Sequence, residues 1–413
     1  MTSILVLYMS QALFLPGRME GIAGFASLRG GLESLFGPLS TLALASQVYG
    51  LYTGFIYFTP VLGGWLADRF IGRRRAVMLG AALMSIGHVA MAFDVSFLPA
   101  LALLIVGCGL LKGNISTQVG ALYQAGDAVG RTRGFAIFSM GINAGAIAGP
   151  LLIGYLAVRY GWHVAFGIAG ILMLIGLGTY IAGYQLLPDD RVSRNFGTPH
   201  PPLGPRDWKA IAGLLVVMAI TVFQSIAYYQ NSNIGLVWID NFVDLRIGGF
   251  HVPVAWFNSI DAASSVVFVP PLFALWRWQA LRGRDRGELA RIGDGAWVTA
   301  AANALLAWAC RGGGRVSVIY PIIYNVLLGI GFLYYWPTLL ALVSRVAPAR
   351  VQATLMGTAF LSLFMANVLI GWVGGFYERM PASEFWSLQS GIAAAGGLLA
   401  MLLRPRLLRA LTR

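Results

Sequence analysis

Apolar segments long enough to cross a lipid bilayer recur along the whole chain, separated by short polar turns. A hydrocarbon core of ~30 Å takes ~20 residues of helix to cross. Segments of this kind lie near residues 1–15, 40–67, 76–94, 97–123, 134–158 and 162–187, and again near 209–236, 253–278, 289–310, 316–344, 352–376 and 386–409. Lipid leaves backbone N–H and C=O groups no outside partner, so such segments must be helices. The pattern predicts an all-α integral membrane protein of twelve transmembrane helices, the first of them incomplete. That first segment, "MTSILVLYMSQALFLPG", is short for a span and lacks the basic start and cleavage site of a signal peptide. Composition agrees: 58% of residues are hydrophobic and 11% charged, against roughly 25% charged in soluble domains.

The longest polar stretch, "LLPDDRVSRNFGTPHPPLGPRDWK", follows the sixth span, and its Pro, Gly and charge content is that of a linker. The chain is therefore expected to divide into an N-terminal six-helix bundle (1–187), a cytoplasmic linker (188–208) and a C-terminal six-helix bundle (209–413). The net charge of +13 has a topological explanation. With the N-terminus inside, 21 of the 29 Lys and Arg residues fall on inner loops and the tail, including Arg191, Arg194 and Arg413, and seven fall outside. Basic residues gather on cytoplasmic loops, so both termini are expected in the cytoplasm, in the cell (inner) membrane, with the bilayer and no nucleic acid as partner.

Chemistry-bearing clusters do not emerge. Cys108 and Cys310 form no metal spacing or disulfide framework, and His88, His163, His200 and His251 are scattered. No phosphate-cradling loop is present. Neither an enzyme nor an ATP-driven pump is expected, nor any metal or other cofactor.

Two ionisable residues lie well inside spans, Lys112 and Asp261. Lys112 is fifteen residues beyond Phe97, ~22 Å into the membrane at 1.5 Å per residue. A snorkelling side chain is one explanation. A charge facing lipid is costly, however, so a cavity is the favoured surrounding. Asn114, Thr117 and Gln118 follow at i+2 to i+6 and are expected to share much of its face. Asp261 lies about eight residues from the outer end of its span and is a functional candidate on the same ground. An acid and a base, one in each half, suit a device that couples a proton to a solute. Gly141, Gly145 and Gly149 recur four apart and are expected to serve helix packing.

"GGWLADRFIGRRR" (63–75) is similar to the loop between spans two and three of the major facilitator superfamily. Asp68, Arg69 and Arg73 then become candidate gating residues. A narrower likeness covers nearly the whole chain. "YFTPVLGGWLADRFIGRRRAV" and "FAIFSMGINAGAIAGP" resemble the two signatures of the proton-dependent oligopeptide transporters. "GLLKGNISTQVGALY" resembles that family's Gly-x-x-Lys-Pro-Asn stretch, with Gly113 in place of Pro. "HVAFGIAGILMLIGLGTY", "VPVAWFNSIDA" and "APARVQATLMG" extend the likeness. The resemblance implies a major facilitator fold and two bundles that rock around a central site. It implies proton-coupled uptake of di- or tripeptides, or related small zwitterions, by a monomer. The resemblance places Tyr57, Lys112 and Asn143 where the family lines its substrate cavity and implies proton coupling for Lys112; Asp261 and Trp336, which depart from the family pattern, are further candidate substrate-binding residues, and Asp261 a second candidate for proton coupling.

The departures from the family pattern are specific. The acidic–Arg motif of the first helix is absent, and "MTSILVLYM" looks like the residues that follow it, so an upstream in-frame start is expected. The Gly-Glu-Leu-x-x-Ser-Pro stretch of span ten reads "GFLYYWP", with Phe332 for the glutamate and Trp336 for the serine. The span-eight asparagine is Asp261, expected to take over from that glutamate. Tyr228 and Tyr229 stand where the family often has acidic residues. Two extra helices usual between the bacterial family's halves are missing here. Two rival readings stay open: the same fold carrying a non-peptide solute such as an organic anion, modified peptide or drug, and a non-transporting membrane protein.

Overall fold

The computed structural model describes residues 2–123, 127–187 and 202–411. It forms two compact units, Met1–Gly197 and Thr198–Arg413. The expected linker, with Arg191 and Arg194, lies outside the described residues up to residue 201, as does Arg413.

The first unit holds α1 (Thr2–Tyr8), extended as a π-helix over Met9–Leu13, then α2 (Phe25–Phe36), α3 (Thr41–Leu66), α4 (Arg73–Ala90), α5 (Phe97–Ala121), α6 (Ala128–Tyr160) and α7 (Trp162–Ala182). The second holds α8 (Pro205–Tyr229), α9 (Ile234–Phe242), a hairpin of β1 (Arg246–Ile247) and β2 (Phe250–His251), α10 (Trp256–Val267), α11 (Val269–Leu281), α12 (Gly287–Ala309), α13 (Ile319–Val346), α14 (Gln352–Gly374) and α15 (Ala382–Leu411).

Seven described helices are each long and apolar enough to cross a membrane: α5, α6, α7, α8, α13, α14 and α15. The pair α10–α11 makes an eighth, bent by 40°. The bend falls at Pro270 and Pro271, which open α11 and whose rings bar a continuous helix. The other expected spans are α3, α4, α12 and the short helix Thr2–Leu13. Thr2–Leu13 is apolar but short, and α3, α4 and α12 are less apolar for visible reasons. Ser46, Gln47 and Thr53 are buried in α3, three arginines open α4, and α12 carries Glu288, Arg291 and Asp294. On the other spans, side chains such as Ile171, Ile175 and Leu402 are more than half exposed. In water that much apolar surface would drive association; in lipid it faces its own kind. This is the all-α, multi-pass membrane architecture that the sequence predicts.

Two elements were not expected. α2 forms inside the polar connection 16–39, burying Phe25 and Leu32 while Arg29 pairs with Glu33 one turn on, 2.9 Å away. β1 and β2 pair across Gly248–Gly249, whose φ angles of 55° and 84° only glycine adopts readily.

α5 is the centre of the first unit. A Cβ on Gly63 would collide with the carbonyl of Gly109, and one on Gly80 would lie 2.7 Å from the carbonyl of Gly107. Glycine at these crossings lets α3 and α4 lie directly against α5. Around Tyr8, rings of Phe97 and Phe166 pack at 5.9 and 5.0 Å. In the second unit α12 lies among α8, α13 and α15, and Leu214, Leu339, Leu342 and Val343 of the core are fully or almost fully buried.

The expected packing role of Gly141, Gly145 and Gly149 is corrected. No described atom lies within 4 Å of a Cβ placed on any of the three, because α6 is almost wholly exposed along this face.

Candidate functional site

The first unit brings Tyr57 and Lys112 together. The close crossing of α3 and α5 sets the Lys112 ammonium 4.6 Å from the centroid of the Tyr57 ring. A cation over an aromatic face gains ~0.5–2 kcal/mol, depending on how dry the site is. Lys112 is exposed, and no carboxylate pairs with it among the described residues. Such a cation is ready for an anion from outside the fold.

The expected polar face around Lys112 does not exist. Asn114 is 2% exposed, and its amide donates to the carbonyls of Gly63 and Leu110 at 3.3 and 2.8 Å. Gln118 is 6% exposed and accepts from the Tyr180 hydroxyl of α7 at 3.0 Å. Thr117 bonds back to the carbonyl of Gly113. At ~100° per residue, offsets of two, five and six place all three well around the helix from Lys112. Asn114 and Gln118 fasten α5 to α3 and α7. Asn143 is exposed on α6 and makes no hydrogen bond among the described residues, so the structure does not join it to Tyr57 and Lys112.

In the second unit three departures from the family pattern meet. The Tyr228 hydroxyl of α8 donates to Oδ2 of Asp261 on α10 at 2.7 Å. The Phe332 ring of α13 stacks on Tyr228, 5.5 Å between centroids and 28° between planes. Tyr229 meets Tyr228 edge-on at 5.0 Å. Oδ1 of Asp261 is buried with no hydrogen-bond partner among the described residues. A carboxylate oxygen stripped of water and left without a donor is costly until a proton or a cationic group meets it. Trp336 lies one turn beyond Phe332 and packs on Phe360 of α14, ring centroids 5.4 Å apart. No contact joins it to Asp261 among the described residues.

The candidate gating residues sit in the α3–α4 turn. Arg73 Nε pairs with Asp68 Oδ1 at 2.9 Å across Gly72, whose φ of 81° reverses the chain. Both side chains are around half exposed, so the pair contributes at most about 1 kcal/mol. The Arg69 guanidinium lies 5.9 Å from the centroid of the Phe70 ring.

Known transporters resemble this chain in sequence and fold. The chain is 28% identical to the uncharacterized transporter YclF of Bacillus subtilis (strain 168), covering 89% of this chain and 86% of the relative. It is 28% identical to the peptide transporter YePEPT of Yersinia enterocolitica subsp. palearctica serotype O:3 (strain YE-P4), over 80% of this chain and 79% of the relative. A crystal structure of a mutant of the peptide transporter POT in complex with alafosfalin superposes with a TM-score of 0.79 at 25% identity. That match covers 100% of this chain and 92% of the other. The sequence profile of the POT family matches residues 74–200 and 204–390. With well over half of its length matched and the same fold, the chain belongs to the POT family.

Proposed function

We propose that the protein is a proton-coupled symporter that takes up di- or tripeptides, or related small zwitterions, by alternating access. The family and its peptide-transporting relatives support peptide transport. The observation that carries the finer reading is a pair of opposite charges, one per unit, neither of them in an ion pair among the described residues. Lys112 is open apart from the Tyr57 ring, and Asp261 has one oxygen without a donor. A zwitterion needs one partner of each sign. Lys112 meets the carboxylate, with Tyr57 holding the ammonium, and Asp261 meets the amino group. Asn143 and Trp336 complete the proposed substrate-binding set, and Asp68, Arg69 and Arg73 the gating set. The protein acts as a monomer in the cell (inner) membrane with both termini in the cytoplasm.

Proton coupling follows from the same chemistry. Asp261 cannot stay ionised, dry and half-partnered without cost. A proton or a substrate ammonium relieves that cost, so the two are linked through Asp261, while Lys112 responds to the substrate carboxylate.

A second reading rests on Phe332. An aromatic ring stacked beside the acid, in place of a second carboxylate, favours a solute with an apolar or aromatic flank. Competition by dipeptides against such a solute separates the two readings.

Uptake of a labelled dipeptide into proteoliposomes tests the proposal. An inward proton gradient should drive accumulation that a protonophore abolishes. Accumulation that ignores the gradient would contradict proton coupling.

A further inference from the structure

The charged groups at the start of α12 and the end of α15 play no part in the site above. Small residues set how these two helices meet. A Cβ on Gly293 would touch the Ala400 methyl at 3.4 Å, and one on Gly397 would lie 2.9 Å from Nε1 of Trp297. Further along, the Ser390 hydroxyl donates to the Ala300 carbonyl at 2.9 Å. The helices therefore run antiparallel in close contact. That pairing brings Arg286, just before α12, to Arg404, near the end of α15. Nη2 of Arg404 donates to the Arg286 carbonyl at 3.0 Å.

Two clefts share this pair of arginines. The larger, about 130 Å³, lies toward the middle of the span. Its floor is Leu289, Ala290, Gly293 and Ala400, all buried, and its edge is Asp294 and Met401. The smaller, about 60 Å³, lies toward the helix ends, between Glu288, Leu342, Arg345 and Leu408. A buried water needs ~10–15 Å³, so the larger cleft has room for a group the size of a phosphate.

The charges of the two clefts do not balance. Asp294 pairs with Arg286 at 3.1 Å. Glu288 takes two hydrogen bonds from Arg345, at 3.0 and 2.8 Å. Arg404 is the third guanidinium, half-buried against a neutral carbonyl and in no ion pair among the described residues. The clefts thus carry a net charge of +1 beside an apolar floor. The surface around them changes character at this level. Deeper on the same helices, Trp297, Leu398, Met401 and Leu402 are 43%, 50%, 59% and 65% exposed. Toward the helix ends, Arg284, Arg406 and Arg409 are exposed instead. The arginine pair stands where hydrocarbon gives way to headgroups, and a cation there is costly until an anion meets it.

We propose that these clefts bind one anionic phospholipid. Its phosphodiester sits on Arg404 and Arg286, whose planar donors match phosphate oxygens. Its headgroup extends toward Arg345, and one acyl chain lies over the Gly293–Ala400 floor and leaves past Met401. Soluble phosphate would satisfy the arginines but leave the floor bare. A zwitterionic lipid would cover the floor but bring no net charge to balance Arg404. An anionic phospholipid does both, and basic pockets between membrane helices are suited to such headgroups. On the topology expected above, this is the cytoplasmic leaflet.

Native mass spectrometry of the full chain released from detergent tests the site, with dioleoyl phosphatidylglycerol and dioleoyl phosphatidylcholine added together. The acyl chains are the same, so the headgroup decides. One phosphatidylglycerol should stay bound per chain, at least about fivefold over phosphatidylcholine. Arg404→Gln should remove most of that preference. Asp294→Asn releases Arg286 for the phosphate and should raise it about twofold or more. Arg409→Gln, exposed on the same end of α15 and lining neither cleft, should leave it within about twofold. The ratio of the two lipids is read on folded ions of each variant, so a lower yield does not imitate a lost site. Glycerol 3-phosphate in about tenfold excess should not displace the lipid, because it lacks the chain that covers the floor. Equal retention of the two lipids would overturn the proposal. So would a loss in Arg409→Gln as large as in Arg404→Gln, which would mean diffuse attraction to a basic surface. A fall in Asp294→Asn, or displacement by glycerol 3-phosphate, would overturn it as well.

Discussion

The two charged positions differ in what surrounds them. Lys112 stands exposed on α5 against one aromatic ring. Asp261 is held by a tyrosine hydroxyl, with a stacked phenylalanine behind that tyrosine and one oxygen buried. An open ammonium on a long stem adapts to a carboxylate wherever it arrives. A fixed carboxylate in a dry wall has one geometry and responds strongly to a proton or cation. On the function proposed above, the first unit would supply reach, and the second selectivity and coupling.

The largest expected effect breaks the first side of this comparison. Lys112→Ala should reduce dipeptide uptake at least ~30-fold, because the substrate carboxylate then loses its cationic partner. Lys112→Arg keeps the charge but should rescue only in part, since the flat guanidinium is a poorer adapter. On the other side, Tyr228→Phe leaves Oδ2 of Asp261 without its donor. A hydrogen bond to a charged group is worth about 1.5–3 kcal/mol, so uptake should fall about tenfold or more, read as initial rates in proteoliposomes. Gly63→Ala should lower the midpoint of thermal unfolding in detergent markedly, because a Cβ there meets the Gly109 backbone and displaces α5 with Lys112. Unchanged stability would show that the crossing yields easily.

Smaller effects lie at the edges. Asp68→Asn should cost at most about 1 kcal/mol in stability, because the Arg73 pair is exposed. Any large loss of transport from it would then come from gating. In α2, the Arg29 guanidinium and the Leu39 amide hold the Glu33 carboxyl below its ordinary range. A depressed acid stabilises above its unfolded pKa, and that contribution disappears as pH falls through its folded value. Arg29→Ala should move the Glu33 titration, followed by NMR, back up toward pH 4.5.

Much of this was legible in the sequence because lipid is an unforgiving solvent. A charge among apolar residues stands out, so Lys112 and Asp261 could be found without a structure. The twelve segments were likewise visible. What lay hidden depended on rotation and on long-range pairing. Asn114 and Gln118 look like companions of Lys112 along the chain, yet they turn away to bond α3 and α7. Tyr228, Asp261 and Phe332 are separated by 33 and 71 residues, and only folding brings the three departures into contact. The α10–α11 bend had its signal in Pro270–Pro271. α2 had its signal in the helical spacing of Phe25, Leu32 and Phe36, masked by Gly30 and Gly31.

The central claim is that Lys112 and Asp261 read opposite ends of a peptide. The most direct measurement is a cycle between protein and substrate: uptake of a dipeptide, its N-acetyl form and its C-terminal amide by wild type, Lys112→Ala and Asp261→Asn. The account predicts that N-acetylation costs the wild type heavily and Asp261→Asn little, and that amidation costs the wild type heavily and Lys112→Ala little. If each variant discriminates among the three peptides as the wild type does, the assignment of the two charges is wrong.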